Sequence, residues 1–294
     1  MFTHSLSNFF YNTLPFPGAR VLARAFSKLL LPPLKERVIS PTIFGFDLVF
    51  RPGNGYYVYY TGFYEIGTLE VIKNCLRAGD VFLDIGSSVG LMTFCASRSV
   101  GKSGKVIAFE PTKNSFEDLC YGIDLNKTEN IKALNIGLGS ENTHIKIYTD
   151  RACPSMVELA DDSGAFEEVP IKKLDDVLEQ EQIPNVKMMK IDVEGFELEV
   201  IKGAKKILSS SGPPIICIEY IRSLKKINND ELGALDLILS YNTYQLFQLT
   251  KTSHRLSKLR KVEQMNDLHE HDNVYCFHAS HFGSVEPGIF ESNR

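Results

Sequence analysis

The segment 81–96 constrains the fold more than any other part of the 294-residue chain. A short apolar run reaches Asp84, a turn of small residues spans Gly86 to Gly90, and a helix-forming sequence follows. This order predicts a buried parallel strand that leads through a tight turn into a helix. Gly86 can adopt backbone angles closed to other residues, and Gly90 lets the helix start close to the strand. We therefore expect a ligand to bind at this turn, at the carboxyl end of the strand.

The spacing of the two glycines distinguishes between cofactors. A dinucleotide fingerprint requires three glycines as G-x-G-x-x-G, with the pyrophosphate at the helix N-terminus. Here only Gly86 and Gly90 are present, within the pattern D-x-G-x-x-x-G that starts at Asp84. This pattern suits S-adenosylmethionine, which has no pyrophosphate but carries an amino-acid moiety that must pass close to the main chain. Asp84 can hold an ammonium or hydroxyl group there, so the pattern favours S-adenosylmethionine over NAD.

Two later strand ends are expected to contact the same cofactor. The second predicted strand ends in Glu110 and Pro111. Glu110 lies about 20 residues past the glycine turn, where an acidic side chain accepts two hydrogen bonds from ribose hydroxyls. A solvated carboxylate at a strand end is the alternative interpretation. The third predicted strand leads into a turn at Gly137 and Leu138, which should face the adenine ring.

Composition and charge argue against several other functions. The formal net charge of −4 gives the chain no excess of positive charge for nonspecific nucleic-acid binding, so we expect no nucleic-acid partner. The six cysteines are scattered without a C-x-x-C pair, which is typical of reduced core thiols in a cytoplasmic protein and argues against a metal site. No apolar run reaches the roughly 18 residues of a membrane span. The N-terminus also lacks a basic region followed by a secretory apolar run.

The pattern of predicted elements divides the chain into three parts. Residues 1–64 form an N-terminal extension, with an amphipathic helix near 20–30 and a strand pair around Gly45, that packs on or covers the core. Peripheral docking of that helix to a membrane surface or a partner is the alternative. Residues 65–285 alternate between strands and helices, which predicts a mainly parallel α/β sheet with helices on both faces. Residues 286–294 form a tail.

Four segments make the chain resemble the FkbM family of S-adenosylmethionine-dependent methyltransferases. They are DIGSSVG at 84–90, AFEP at 108–111, KIDVEG at 190–195 with Glu197 after it, and IE at 218–219. Many relatives have Ala-Asn where this chain has Ser87 and Ser88. This difference weakens one side-chain contact more than it weakens the assignment of S-adenosylmethionine as the cofactor. The resemblance implies a Rossmann-like class I methyltransferase fold with a seven-stranded sheet. It also implies methylation of hydroxyl groups on small molecules such as polyketides, sugars or lipids.

Asp192 and Glu194 are the candidate catalytic residues. They follow the predicted fourth strand, next to the expected position of the sulfonium methyl group. A hydroxyl acceptor must lose a proton, which either carboxylate could take. Either could instead stabilise the sulfonium, bind a divalent cation, or make structural hydrogen bonds to the turn at Gly195, and Lys190 is expected to pair with one of them. The candidate cofactor-binding residues are Glu65, Asp84, Gly86, Ser88, Gly90, Glu110, Pro111, Gly137, Leu138 and Asp192.

Three function classes remain open. A methyltransferase acting on a hydroxyl group is favoured, with a nitrogen or carboxylate acceptor as a variant. A nicotinamide oxidoreductase would need the dinucleotide turn that this chain lacks. A non-catalytic scaffold with the same fold would show no turnover, but the intact Asp84, Gly86 and Glu110 favour an enzyme. The basic stretch 251–261 is interpreted as a solvated surface, with an anionic-substrate site as the alternative.

Overall fold

The computed structural model describes residues 34–52, 58–59, 62–149, 164–183, 185–221, 233–253, 255–269 and 271–292. The amphipathic helix predicted near residues 20–30 lies outside these ranges. The strands are β1 (Val38–Pro41), β2 (Asp47–Phe50), β3 (Val81–Ile85), β4 (Lys105–Phe109), β5 (Ile131–Leu134), β6 (Gly137–Leu138), β7 (Thr143–Tyr148), β8 (Phe166–Lys172), β9 (Val186–Ile191), β10 (Ile215–Ile221), β11 (Tyr244–Leu249), β12 (Leu259–Lys261) and β13 (His271–His278). The helices are α1 (Ile66–Cys75), α2 (Leu91–Val100), α3 (Lys113–Leu125), α4 (Leu174–Gln180), α5 (Glu197–Lys202), α6 (Lys205–Leu208) and α7 (Ala234–Tyr241).

Within the described ranges, the central sheet contains eight strands in the order β12-β11-β13-β10-β9-β3-β4-β5. Neighbouring strands from β10 to β5 run parallel. The other three strands, β13, β11 and β12, join that group through antiparallel pairs. The mainly parallel sheet is therefore confirmed, but it has one strand more than the seven predicted. The additional strand is β12 in the basic stretch, where the buried Leu259 pairs with Leu249.

Apolar side chains on the two faces of the sheet form two separate cores. Successive side chains of a strand point to opposite faces. Phe82 of β3 therefore packs with residues of α1, α2 and α3, whereas Leu83 packs with residues of α4 to α7. All five residues of β3 are buried, which explains its nearly unbroken apolar sequence. The predicted helix layers on both faces of a Rossmann-like sheet are confirmed.

The predicted strand pair around Gly45 is present as the antiparallel pair β1 and β2. Arg51, which follows β2, lies 2.8 Å from the buried carboxylate of Asp118 on α3. The side chain of Asn126 accepts a hydrogen bond from the amide of Asp47 over 3.0 Å and donates one to its carbonyl oxygen over 2.8 Å. Phe50 of β2 belongs to the first core. The strand pair is thus packed against α3 and the sheet.

The last described residues pack against the antiparallel edge of the sheet. Phe290 lies in the segment predicted as a tail, and its ring centroid is 5.2 Å from that of Phe247 and 5.3 Å from that of Phe277. Its main chain also forms a parallel bridge to Leu259. A smaller sheet, in the order β6-β8-β7, lies outside the central one. Among the described segments, no helix combines the length and apolar character needed to cross a membrane.

Candidate active site

The turn after β3 lies directly against the turn after β9. Gly86 has φ 84°, and its amide donates a hydrogen bond to the carbonyl oxygen of Phe109 over 3.0 Å. The amide of Asp192 donates to the carbonyl oxygen of Ile85, also over 3.0 Å. A Cβ atom on Gly86 would lie 1.9 Å from the carbonyl oxygen of Asp192. The carboxyl ends of β3, β4 and β9 therefore meet at one edge, where position 86 admits only glycine.

The remaining residues of the glycine turn shape it through packing and main-chain contacts. Gly90 has φ 91° at the start of α2, and a Cβ atom there would lie 2.6 Å from Leu119 of α3. The hydroxyl of Ser87 donates a hydrogen bond to the last carbonyl group of β4 over 3.3 Å. Ser88 adopts φ 47° and donates its amide to the side chain of Glu110. Gly90 thus allows α2 to pack against α3, and Ser88 joins the turn to the next strand end.

Glu110, the first residue after β4, is buried and accepts three hydrogen bonds from residues that the structure describes. Its Oε2 accepts from the amide of Ser88 over 2.8 Å. Its Oε1 accepts from the amide and the hydroxyl of Thr112, over 3.0 and 2.6 Å. Burial raises the pKa of Glu110, and these hydrogen bonds oppose the shift. Because a carboxylate has about four acceptor positions, Glu110 can still accept a hydrogen bond from a ligand.

Pro111, Gly137 and Leu138 lie on the neighbouring side of this edge. The side-chain amide of Asn135 donates to the carbonyl oxygens of Glu110 and Pro111, both over 2.9 Å. A Cβ atom on Gly137 would lie 3.6 Å from Cβ of Pro111, so the two predicted residues are adjacent. Leu138 is only 1% exposed, and its side chain packs in the second core. Its main chain is therefore the part of Leu138 that a ligand at this edge can reach.

Asp84, Lys190 and Cys217 lie side by side on three adjacent strands. The register pairs Asp84 with Lys190 and Lys190 with Cys217. Asp84 is 1% exposed, and the hydroxyl of Thr93 donates to its Oδ2 over 2.5 Å. Burial raises the pKa of Asp84, while the charge of Lys190 and the hydrogen bond from Thr93 oppose the shift. Asp84 is therefore an enclosed acidic group beside the buried lysine.

Lys190 carries the positive charge of this buried row. Its Nζ lies 2.5 Å from Oδ2 of Asp192. Burial alone would lower the pKa of Lys190, but the carboxylates of Asp192 and Glu65 outweigh it and raise the pKa well above its ordinary value. Glu65, the residue before α1, has φ 43° and accepts a hydrogen bond from the side chain of Asn273 over 2.8 Å. Burial raises the pKa of Glu65, and the charge of Lys190 opposes the shift.

The two candidate catalytic carboxylates differ in their surroundings. The side chain of Asp192 is 27% exposed and paired with Lys190. Glu194 is exposed, in a left-handed conformation with φ 54°. Glu197 also makes structural hydrogen bonds at this turn, because its Oε1 accepts from the amides of Val193 and Gly195 over 3.1 and 3.2 Å. Glu197 therefore supplies turn contacts that the sequence analysis considered for Asp192 and Glu194.

The structure adds Glu219 to these residues, a position to which the sequence analysis assigned no role. It lies near the end of β10, immediately after Ile218, which pairs with Ile191 of β9. Its Oε1 forms a hydrogen bond of 3.0 Å with Nε2 of His271. Burial, followed by the charge of Asp192, raises the pKa of Glu219 to about 9. The sequence signal was present, because acidic residues at parallel strand ends converge on one edge. We refer to the four carboxylates near the ends of β9 and β10 as the acidic cluster: Asp192, Glu194, Glu197 and Glu219.

Asn273 and Tyr64 also lie at this site, although the sequence analysis did not select them. Asn273 is opposite Glu219 in the β10–β13 pair and contacts Glu65. Burial raises the pKa of Tyr64, and the charges of Glu65 and Asp192 act in the same direction. No sequence pattern marks Asn273, because it enters the site only through antiparallel pairing. In the part of the chain that the structure describes, no three His, Cys, Asp or Glu side chains are arranged to hold a metal ion.

Comparisons with known proteins find similarity to methyltransferases. The family model of the methyltransferase FkbM domain matches residues 84–246. The hexuronic acid methyltransferase AglP of Haloferax volcanii is 29% identical over 150 residues, covering 49% of this chain and 59% of that protein. The methyltransferase sdnD of Sordaria araneosa is 28% identical over 160 residues, covering 44% of this chain and 61% of that protein. The matches therefore span less than two thirds of the length of either relative.

Among solved structures, the methyltransferase FkbM of Methylobacillus flagellatus KT is 18% identical, with a TM-score of 0.44. The alignment covers 75% of this chain and 52% of that chain. The match to the family model includes the glycine turn, Glu110, the acidic cluster and the strands β4, β9 and β10. It extends over more than half of the 294 residues, and the resemblance seen in the sequence is confirmed. The chain therefore belongs to the family of methyltransferases with an FkbM domain.

Proposed function

We propose that the protein transfers the methyl group of S-adenosylmethionine to a hydroxyl group of a small molecule, with a sugar-type acceptor favoured. The observation that carries the proposal is the position of Glu110. This buried carboxylate is bonded to the main chain of the glycine turn and keeps an acceptor position open. The name of the relative AglP, a hexuronic acid methyltransferase, supports a sugar-type acceptor.

The residues at this edge fit S-adenosylmethionine better than a dinucleotide. Ribose hydroxyls are hydrogen-bond donors, which suits the free acceptor position of Glu110. A cationic ammonium or sulfonium group suits the carboxylates of Glu65 and Asp192, which surround a single lysine. The pyrophosphate of a dinucleotide would instead be repelled by the same carboxylates. The set of acceptors at the edge therefore favours a positively charged cofactor.

The proposed roles of the chain's own residues follow from their positions. Bound S-adenosylmethionine would supply an electrophilic methyl group on a positively charged sulfur. The protein has to align the acceptor hydroxyl with that group and to exclude water. Asp192 is proposed to contact the donor or the acceptor, because its carboxylate is held by Lys190 at the partly exposed edge. Glu194 is proposed to contact the acceptor from its exposed position after β9.

Calorimetric titration with S-adenosylmethionine, S-adenosylhomocysteine and NAD tests the proposal. We expect micromolar binding of the first two compounds, a free energy of about −8 kcal/mol, and no binding of NAD. Hydroxylated sugars, with and without a carboxylate, are then screened for methyl transfer with the labelled donor. Binding of NAD would contradict the proposal, and a folded protein that binds none of the three would point to a non-catalytic scaffold.

Glu110 and Asp192 are expected to separate cofactor binding from turnover. Glu110→Ala should weaken S-adenosylmethionine binding about 10- to 100-fold, because it removes charged hydrogen-bond acceptors for the ribose and for the turn. Asp192→Ala should weaken that affinity less, by up to about fivefold because Glu65 remains, but lower kcat about 100-fold or more because the donor and the acceptor are no longer aligned. Titration calorimetry and steady-state kinetics measure the two effects. Glu70→Ala, on the exposed side of α1, is the control, and equal loss of affinity in both site variants would contradict the assignment.

A further inference from the structure

The carboxyl group of Glu219 has an oxygen atom that none of the described residues contacts through a hydrogen bond. Its Oε2 is buried and has no hydrogen-bond partner among the described residues, while Oε1 is bonded to His271. Leaving a buried acceptor unsatisfied costs about 1 to 3 kcal/mol, so such an atom in a candidate site calls for a ligand that donates to it. An acceptor hydroxyl group is a donor of this kind.

The other carboxylates near this position are engaged differently. Asp192 forms an ion pair of 2.5 Å with Lys190, so its Oδ2 is already engaged. Glu197 accepts two main-chain hydrogen bonds in the turn. Glu219 instead connects the buried edge with His271, whose side chain is 67% exposed. The pair therefore forms a continuous path from the site to solvent.

We propose that Glu219 takes the proton of the acceptor hydroxyl and passes it to solvent through His271. The inference rests on the proposed function and assigns a further catalytic residue to it. The acceptor oxygen forms a bond to the methyl carbon, and the bond between that carbon and the donor sulfur breaks with its electron pair. The hydroxyl proton moves to Oε2 of Glu219. The carboxyl group then rotates to bring this proton to Nε2 of His271, which accepts it and passes it to water.

The charges around Glu219 couple this step to the binding of the methyl donor. The groups that act on it are Lys190, Asp192 and Glu194 from β9 and the turn after it, Glu197 from α5, His271 from β13 and Tyr64 before α1. Burial and three carboxylates against one lysine raise the pKa of Glu219 to about 9, so it holds a proton at neutral pH. A sulfonium brought to this edge adds a positive charge and favours the ionised carboxylate. Donor binding should therefore release a proton and prepare Glu219 to receive the next one.

The test is the number of protons released on binding, measured by calorimetry at neutral pH in buffers of different ionisation enthalpy. We expect about one proton released with S-adenosylmethionine and close to none with S-adenosylhomocysteine, which lacks the sulfonium charge. Glu219→Gln should abolish most of the release, weaken donor binding about tenfold because the ionised carboxylate no longer faces the sulfonium, and lower kcat about 100- to 1,000-fold. His271→Gln should retain the release and lower kcat by about tenfold.

Glu286→Gln is the matched control. This exposed carboxylate is bonded to Arg77, which follows the C-terminus of α1, whereas the site lies at the N-terminus of that helix. Glu286→Gln should leave both proton release and kcat unchanged. Release that persists in Glu219→Gln, or equal release with S-adenosylmethionine and S-adenosylhomocysteine, would overturn the role of Glu219. Absence of donor binding in the folded wild-type protein would overturn the proposed function as well, so the two failures are distinguishable.

Discussion

Gly86→Ala is expected to lower the free energy of unfolding by about 3 to 5 kcal/mol and to abolish S-adenosylmethionine binding. The new Cβ atom would lie 1.9 Å from the main-chain carbonyl oxygen of Asp192, in a residue with φ 84°. Neither group can rotate away, because the amide of Asp192 is bonded to β3 and the amide of Gly86 is bonded to β4. The turn must shift as a unit, which separates Ser88 from Glu110. Urea unfolding followed by circular dichroism measures the first effect and titration calorimetry the second.

Gly79→Ala is the control for the backbone conformation alone. Gly79 has φ 93°, similar to Gly86, but the nearest atom to an added Cβ would be Oγ of Ser103 at 3.8 Å. Gly79→Ala should lower the free energy of unfolding by only about 1 to 2 kcal/mol, which is the penalty of a left-handed conformation for alanine. The difference between the two variants isolates the contact between the turns after β3 and β9. Equal destabilisation would show that this contact does not constrain position 86.

The parts of the site that were predictable from the sequence share one physical rule. Parallel strands buried on both faces appear as apolar runs, and their carboxyl ends meet at one edge. Asp84, Glu110 and Asp192 each follow or end such a run, so their convergence could be predicted without the structure. Gly86 was predictable for the same reason, since the turn must leave the strand abruptly. Glu219 ends the fifth run and obeys the same rule, so its position at this edge was also predictable.

The rest of the site depends on strand order and on the position of each residue along its strand. Lys187 and Lys190 occupy the same strand and look alike in the sequence, but Lys190 pairs with Asp84 whereas Lys187 lies at a shift in register between β9 and β3. Lys190 is 3% exposed beside Asp84, whereas Lys187 is partly exposed and bonded to Ser284. Asn273 reaches Glu65 because β13 is inserted antiparallel next to β10. Neither fact follows from local periodicity. The edge strand β12 was missed because it has only three residues.

Lys190→Met is expected to destabilise the protein by about 3 to 5 kcal/mol at neutral pH, because it leaves buried carboxylates without their cation. Lys190 is the positive charge that opposes the raised pKa values of Glu65 and Asp84, and it is paired with Asp192. Methionine fills a similar volume, so the loss reflects charge more than packing. Urea unfolding of the wild type and the variant measures the difference.

The pH dependence of this variant has a definite sign. Without the lysine, the pKa values of Glu65 and Asp84 should rise further, since only burial and like charges remain. A carboxyl group with a raised pKa in the folded state favours folding below its unfolded pKa of about 4, and this contribution is lost as the pH rises through the folded value. The deficit of Lys190→Met should therefore shrink as the pH is lowered from about 8 to about 5.

Lys187→Met, on the same strand, separates this effect from the general loss of a lysine. Its Nζ donates to the hydroxyl of Ser284 over 2.6 Å and has no carboxylate partner among the described residues. The substitution should cost less than about 1 kcal/mol and show no dependence on pH over the same range. A Lys190→Met deficit that stays constant with pH would show that the lysine acts through packing rather than through the carboxylates. A deficit that grows as the pH falls would reverse the assigned electrostatics, because protonation would then be removing an attraction instead of a repulsion.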